Sequence, residues 1–423
     1  MSSYQVLIHA LGALGEGIGT LEDGLKIFVE GALPGEHVEV TLTLRKQNYA
    51  KGSLVRVLEP SQARQTPPCP LFGTCGGCHL MHLEYTQQIQ LKRQRVINAL
   101  ERIGKLKDLP EVQPCVASPL PLHYRNKIQL PVFETQKQRK IGLYRKNSHD
   151  IIDVPHCYIH NREGEDVYTW IREHLPHSVS LRHVLIRQGI FTHETLVILV
   201  TTGQNDFRPF AQLLQKKFPH VVGVVENINT NSSNTILSTK FRSLSGRPYF
   251  FESLLGKKFK VGPASFFQVN SWQAENLIQE VLRLTKNQSH EHIYDAYTGV
   301  GTFALFLADH AKSVQGTECV AQAIECAKEN AVLNHITNCH FQVGEAKAQP
   351  ADLTILNPPR KGCDPLLLQQ LRSNHVIYIS CDPATLARDL ALLAHYQIES
   401  VTPFDLFPQT MHVETVVALK ANF

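Results

Sequence analysis

Residues 376–389 read Val-Ile-Tyr-Ile-Ser-Cys-Asp-Pro-Ala-Thr-Leu-Ala-Arg-Asp and set one cysteine where a thiol can react. The apolar run up to Ser380 predicts a buried strand, and Pro383 suits the first turn of a helix. Cys381 then falls between a strand end and a helix N-terminus, where the helix dipole and free N–H groups favour a thiolate. Asp382 opposes that effect, and a buried, inert cysteine is the plain alternative. Asn357-Pro-Pro-Arg360 also follows an apolar run and offers an amide of the kind that meets a nucleobase. A thiol and such an amide at the ends of neighbouring strands point to pyrimidine chemistry. Pyrimidine C5 is a poor nucleophile, but a thiolate adding to C6 turns the ring into an enolate whose C5 can attack. The C5 proton must afterwards be removed, which requires a base. Glu414, in Phe-Pro-Gln-Thr-Met-His-Val-Glu, is the candidate. His412 is a weaker rival, and a merely solvated carboxylate on a strand is the alternative.

A cofactor loop is legible upstream. His292-Ile-Tyr-Asp295-Ala-Tyr-Thr-Gly299-Val-Gly301-Thr-Phe sets a strand, an acidic end, a glycine turn and a helix in order. Glycines there let a ligand approach the backbone, although one Gly-x-Gly is a weak signal. Glu318 ends the next predicted strand, where a carboxylate can accept from ribose hydroxyls, and Gly344-Glu345 follows the strand after that, beside an adenine edge. Nicotinamide binding is the rival, but Ala304 stands where its third glycine would fall.

Cys69, Cys75 and Cys78 form a third constellation, on a loop with Pro70, Gly73, Gly76 and Gly77. Cys157 is the best remote fourth thiol. Four thiolates hold an iron–sulfur cluster or a structural zinc, and the spacing leaves both open. A structural or RNA-positioning role fits better than redox work.

The elements that must carry these residues follow from pattern. Regular strand–helix alternation from about 255 predicts a doubly wound, mainly parallel sheet, with strands at 292–294, 313–317, 339–343, 353–356 and 376–380. Residues 115–250 mix strands and helices, with strands at 127–133, 141–144, 184–190 and 196–201, and read as an α+β domain. A helix is expected over 85–103, and the Asn-rich 227–234 as a loop. Strands at 5–10, 26–29, 38–45 and 53–58, parted by turns at 12–19, 34–35 and 47–52, suggest a small β-barrel. Lys46, Tyr49, Lys51 and Arg56 give it a basic, aromatic face that suits single-stranded nucleic acid. A length of 423 residues predicts several domains, and a net charge of +4 hints only weakly at a polyanionic partner. No apolar run approaches the roughly 20 residues of a membrane span. The N-terminus has no secretion signal, so a cytoplasmic protein is expected.

Taken together, these residues resemble the bacterial RNA uracil-5-methyltransferases that carry an N-terminal TRAM domain and a four-iron cluster, and most closely their 23S ribosomal RNA branch. Gly15-Glu-Gly-Ile-Gly19 and Val29-Glu-Gly-Ala-Leu-Pro-Gly-Glu36 look like TRAM. Phe266-Phe-Gln268-Val-Asn270 resembles the segment whose glutamine touches the cofactor and whose first aromatic lines the base pocket. The segments around Asp295, Cys381 and Glu414 resemble the cofactor loop, nucleophile and base motifs, and Cys69, Cys75, Cys78 and Cys157 fall on the cluster ligands. The resemblance implies a TRAM barrel over 1–60, an α+β cluster and RNA-binding domain over 61–254, and a Rossmann-like class I methyltransferase domain over 255–423. The helix near 85–110 is expected against the catalytic domain. S-adenosylmethionine is the implied cofactor, held by Gln268, Asp295, Tyr297, Gly299, Gly301, Glu318, Glu345 and Asn357, beside a [4Fe-4S] cluster or zinc. Phe266, Asn357, Arg125 and Lys127 are expected on the RNA, and a monomer without DNA or membrane partners. Asn357, Asp382, Thr298 and Glu345 depart from the usual Asp, Asn, Cys and Asp. Asn357 and Asp382 motivate one alternative, a catalytically impaired RNA-folding factor; a transfer RNA T-loop substrate is another.

Overall fold

The computed structural model describes residues 3–135, 137–203, 206–231, 235–286 and 290–422. The chain divides into two compact units. One comprises Met1–Leu91, Tyr144–Asp150 and Phe407–Met411, and the other Lys92–Leu143, Ile151–Leu406 and His412–Phe423.

In the first unit, β1 (Ser3–Leu11), β2 (Gly17–Thr20), β3 (Lys26–Val29), β4 (His37–Arg45) and β5 (Ala50–Glu59) close into a barrel in the order β1-β2-β3-β5-β4. Alternate residues such as Val6, Ile8, Ile27, Val29, Val38 and Val40 fill its interior. The 12–19 turn expected from glycine content in fact runs into a strand. Gly17 and Gly19 lie in β2 because the interior has no room there: a Cβ on Gly17 would come within 2.8 Å of the Ala32 carbonyl. Glu36 is fully buried and accepts from Leu33 N–H and the Arg64 guanidinium, which ties the chain after the barrel back to it. The distant segment Phe407–Met411 belongs to this unit through a set of hydrogen bonds. His79 and Leu80 N–H donate to the Gln409 carbonyl at 2.8 and 3.0 Å, and Gln88 exchanges hydrogen bonds with the Gln409 amide groups. Gln409 holds a left-handed φ of 68° to accept them.

Helix α1 (Tyr85–Arg102) leads into the second unit. There β6 (Lys127–Glu134), β7 (Arg139–Tyr144), β8 (Ile151–Asp153), β9 (Leu181–Gly189), β10 (Glu194–Thr201), β11 (Val221–Ile228) and β12 (Phe241–Gly246) form a mixed seven-stranded sheet with α2 (Arg162–His174) and α3 (Arg208–Lys217). The Asn-rich segment is only partly a loop: Asn227 and Ile228 end β11, and 232–234 lie outside the described residues. A hairpin, β13 (Phe250–Leu254) and β14 (Lys257–Val261), precedes α4 (Ser271–Thr285).

The last sheet holds β15 (His290–Asp295), β16 (Ala311–Glu318), β17 (Cys339–Val343), β18 (Leu353–Leu356), β19 (His375–Ser380), β20 (Tyr396–Phe404) and β21 (Glu414–Ala421). Helices α5 (Thr302–Leu307), α6 (Ala321–Leu333), α7 (Pro365–Gln370) and α8 (Pro383–Leu392) connect its parallel strands. The order β17-β16-β15-β18-β19-β21-β20 is the Rossmann-like arrangement expected, completed by two antiparallel strands that the alternation pattern did not reveal. Its apolar core includes Ile293, Val314, Leu353, Ile355, Ile377 and Ile379. Among the described residues no helix is long and apolar enough to cross a membrane.

Candidate active site

The strand order reverses between β15 and β18, so their carboxyl ends flank a crevice where ligands of open α/β sheets bind. Asp295 ends β15 and is completely buried, and neither of its oxygens has an aligned hydrogen-bond partner. Burial pushes its carboxyl up to about 6, against the pull of the nearby Thr298 hydroxyl and the Ala304 and Tyr297 N–H groups. Gly299 and Gly301 take left-handed φ values of 56° and 88°, and a Cβ on Gly299 would meet nothing within 4 Å. Glu318 ends the neighbouring β16, where its Oε1 accepts from Val320 N–H at 2.9 Å. Gly344 N–H donates to the Glu318 carbonyl and draws the exposed Glu345 beside this edge. A buried carboxyl without aligned donors, open space above a glycine and a second anchored carboxylate fit a hydroxyl-bearing adenosyl group.

The sulfur lies on the same edge. β19 ends at Ser380, which pairs with Thr415 of β21. The strands are antiparallel, so one further step sets Cys381 opposite Glu414. Asp382 caps α8 by accepting from Thr385 N–H at 2.9 Å. It thus has a structural task, and the free helix N-terminus expected to favour a thiolate is partly used. Burial, then the neighbouring Glu414, push the Cys381 thiol up to about 11, so the resting group is protonated. Glu414 is 3% exposed, and burial pushes its carboxyl up to about 8. Arg360 lowers both values from the loop after β18. Its guanidinium lies 3.5 Å from the half-buried His412 ring.

That loop is bolted to α8. Thr385 Oγ1 donates to the Arg360 carbonyl, Arg388 donates to the Lys361 carbonyl, and Asp389 accepts from Cys363 N–H and the buried Tyr378 hydroxyl. Tyr297 reaches the same buried cluster through the Cys363 thiol. Sequence reasoning quoted Arg360 without a role and missed this network; the spacing of Tyr378 and Asp389 across a strand and a helix face was its only signal. Asn357 stands half-buried directly after Leu356, which pairs with Tyr378.

The remaining expected residues sit on the segment before α4 and around the start of β6. Phe266 is 68% exposed, and Gln268 is half-buried with its carbonyl accepting from Asn126. Arg125 donates to the Lys127 carbonyl. Of the barrel's basic face, Lys46 lies 5.9 Å over the Tyr49 ring and Lys51 is exposed, while Arg56 is ion-paired with Glu39. On α1, Lys92 is fully buried against Asp405.

Cys69, Cys75 and Cys78 lie half-buried on one loop of turns, where Cys75 N–H donates to the Leu71 carbonyl. Burial, chiefly, and the Cys69 thiol raise Cys75. Cys157 is half-buried in the other unit, its N–H donating to Glu165. Among the described residues no group of three or more His, Cys, Asp or Glu is gathered to hold a metal ion.

Residues 253–347 and 348–422 match the family described as tRNA (uracil-5-)-methyltransferase, and residues 2–55 match the TRAM domain. An uncharacterized RNA methyltransferase of Clostridium acetobutylicum is 36% identical over 99% of this chain and 97% of its own. One of Halalkalibacterium halodurans is 37% identical over 98% of this chain and 96% of its own. The crystal structure of Pyrococcus abyssi tRNA (uracil-54, C5)-methyltransferase in complex with S-adenosyl-L-homocysteine superposes with a TM-score of 0.78. It is 29% identical and covers 98% of this chain and 99% of that one.

Proposed function

This chain belongs to the tRNA (uracil-5-)-methyltransferase family of S-adenosylmethionine-dependent RNA methyltransferases, and from that premise we propose that it methylates C5 of a uridine with Cys381 as nucleophile and Glu414 as base. The observation that carries this reading is the strand register that sets the thiol opposite the carboxyl, on the edge where Asp295 and Glu318 end their strands. S-adenosylmethionine supplies an electrophilic methyl group. Asp295, Glu318 and Glu345 would hold its adenosyl part, with Gln268, Tyr297, Gly299, Gly301 and Asn357 around it.

The Cys381 sulfur bonds to C6 of the uracil, and the electron pair displaced from the C5–C6 double bond makes C5 nucleophilic. With Glu414 ionised, its carboxylate takes the thiol proton as the S–C6 bond forms, beside the positive charge of Arg360, and passes that proton to solvent before the C5 step. Once C5 carries the methyl, Glu414 takes the C5 proton, and the returning electron pair expels the Cys381 sulfur. The target base has to leave its stack to reach a thiol in such a pocket. Phe266, with its exposed ring, is the residue we assign to meet it, and Asn357 can accept from N3–H through its amide oxygen.

We assign the target to 23S ribosomal RNA, with the barrel's Lys46, Tyr49 and Lys51, and Arg125 and Lys127 just before and at the start of β6, gripping the RNA. The likeness to the Pyrococcus enzyme favours a second reading, a uridine of the transfer RNA T-loop, because that enzyme acts on transfer RNA and covers 98% of this chain. Mass mapping of 5-methyluridine in 23S and transfer RNA from a deletion strain decides between them. Loss from neither RNA would overturn the activity.

The proposal extends to Cys69, Cys75, Cys78 and Cys157 as ligands of a four-iron cluster, or of zinc. Its support is the cysteine spacing and the turns of the 69–78 loop, and no catalytic step depends on it. Iron and acid-labile sulfide in anaerobically purified protein, lost in Cys75→Ser, would support the cluster; bound zinc without sulfide would replace it.

A further inference from the structure

Arg360 supplies positive charge to both Cys381 and Glu414, yet little holds its side chain. The residue is exposed, and among the described residues its guanidinium meets the His412 ring at 3.5 Å and pairs with no carboxylate. A long side chain of that kind keeps its rotamer freedom. Its place beside the thiol must therefore be set from its backbone.

That backbone is fixed by one helix. Gly362 turns the loop back with a φ of 83°, and its N–H donates to the Pro359 carbonyl at 2.8 Å. Side chains of α8 then hold the loop in turn. Thr385 Oγ1 donates to the Arg360 carbonyl at 3.0 Å, Arg388 to the Lys361 carbonyl at 2.8 Å, and Asp389 Oδ2 accepts from Cys363 N–H at 2.8 Å. Asp389 is completely buried. Its Oδ2 also accepts from the Tyr378 hydroxyl at 2.6 Å, and its Oδ1 accepts from Arg388. It thus holds Cys363 directly and orients the guanidinium that holds Lys361. A Cβ on Gly362 would collide with Asp389 Oδ2 and Arg388, so loop and helix meet with no room to slide. The same helix is capped by Asp382, the residue after Cys381. Nucleophile and cation are thereby carried on one rigid element.

We propose that Asp389 is a positioning residue, which through Cys363 N–H and Arg388 sets Arg360 beside the Cys381 thiol and the Glu414 carboxyl. The inference rests on the methyltransferase reading and adds to it what keeps the exposed cation in place. Around the thiol and carboxyl stand Arg360 from the loop after β18, Asp382 at the cap of α8 and His412 before β21. Around Asp389 stand Arg388, Tyr378 and Cys363, with Tyr297 behind the Cys363 thiol. Positioning and direct charge act with opposite sign. Removing the Asp389 carboxylate, and freeing Arg388 from it, would by charge alone ease ionisation of the thiol. Losing Arg360 makes it harder.

Asp389→Ala in the full-length protein tests this against Arg360→Met. The midpoint of the pH dependence of kcat/KM for RNA should rise in both, and the double variant should rise no further than Arg360→Met alone. Alkylation of Cys381 by iodoacetamide, a neutral reagent, read by peptide mass spectrometry at about pH 9, should slow on the order of threefold in each. Tyr378→Phe also takes a hydrogen bond from the buried carboxylate but leaves the loop tethers, so it should melt lower yet keep the wild-type midpoint and alkylation rate. A midpoint that stays or falls in Asp389→Ala, shifts that add in the double variant, or an equal shift in Tyr378→Phe each overturn the assignment. Thr385→Val, which removes the hydroxyl bonded to the Arg360 carbonyl, repeats the measurement should Asp389→Ala fail to fold. Alkylation needs neither RNA nor cofactor. The expected slowing in a protein that forms no 5-methyluridine would therefore fail the methyltransferase reading while leaving the positioning role standing.

Discussion

Cys381 and Glu414 face each other one step past the last paired residues of two antiparallel strands, although 33 positions separate them in the chain. Glu414 makes Cys381 harder to ionise, and Arg360 makes both easier. With burial pushing the carboxyl up to about 8 and the thiol to about 11, both groups hold their protons at neutral pH.

Attack by the sulfur requires one proton to leave that pair. The rate constant kcat/KM for RNA should consequently rise with pH and level off near 8, where the pair first loses a proton. Arg360→Met should move the midpoint upward, because the cation that eases ionisation is gone. A pH–rate profile on wild type and variant checks this, and a flat profile from about pH 6 to 9 would sink the idea.

The two residues act at different stages, so their variants should fail differently. Cys381→Ala should form no gel-stable adduct with 5-fluorouridine RNA. Glu414→Gln should lose about 10²–10⁴-fold in turnover and accumulate a methylated, covalently held RNA, because C5 keeps its proton. Equal rescue of a deletion strain by wild type and Cys381→Ala would instead favour an RNA-folding factor that needs no catalysis.

Glu414 also makes stability depend on pH. Its folded-state value lies above the ordinary one for glutamate, so the folded chain holds a proton that the unfolded chain releases. The stabilisation is fully present below the ordinary value of 4.5 and is lost as pH rises through about 8. Glu414→Gln should remove that loss, and the variant should outlast wild type in thermal melts at pH 9 by a larger margin than at pH 5, by up to a few kcal/mol. An identical margin at both pH values would count against a buried, protonated carboxyl.

Lys92 and Asp405 form an ion pair with both side chains fully buried. Asp405 lies two residues before the segment that leads to Glu414. Lys92→Met strands the carboxylate and should cost about 3–5 kcal/mol in urea unfolding, whereas Lys92→Met with Asp405→Leu should recover most of it. Additive losses would show that the two side chains do not depend on each other.

Much of this was readable from residue order because it is local. A strand followed by Pro383 fixes where Cys381 falls, and the glycines at 299 and 301 mark a turn whatever surrounds them. The closing of the barrel through β2 was hidden, since glycines signal turns in a sequence and only the crowded interior makes Gly17 and Gly19 strand residues. The antiparallel strands β20 and β21 were hidden as well, because alternation reports sequential parallel units and not a late return of the chain. The chain by itself determined which groups are available: a thiol, carboxyls, an amide, a cysteine loop. Only the tertiary structure decided their state and company, because burial and through-space charge set whether a group is ionised. It turned Cys381 from an expected thiolate into a protonated thiol opposite Glu414, drew Arg360 in beside them, and set Lys127 across from Arg187.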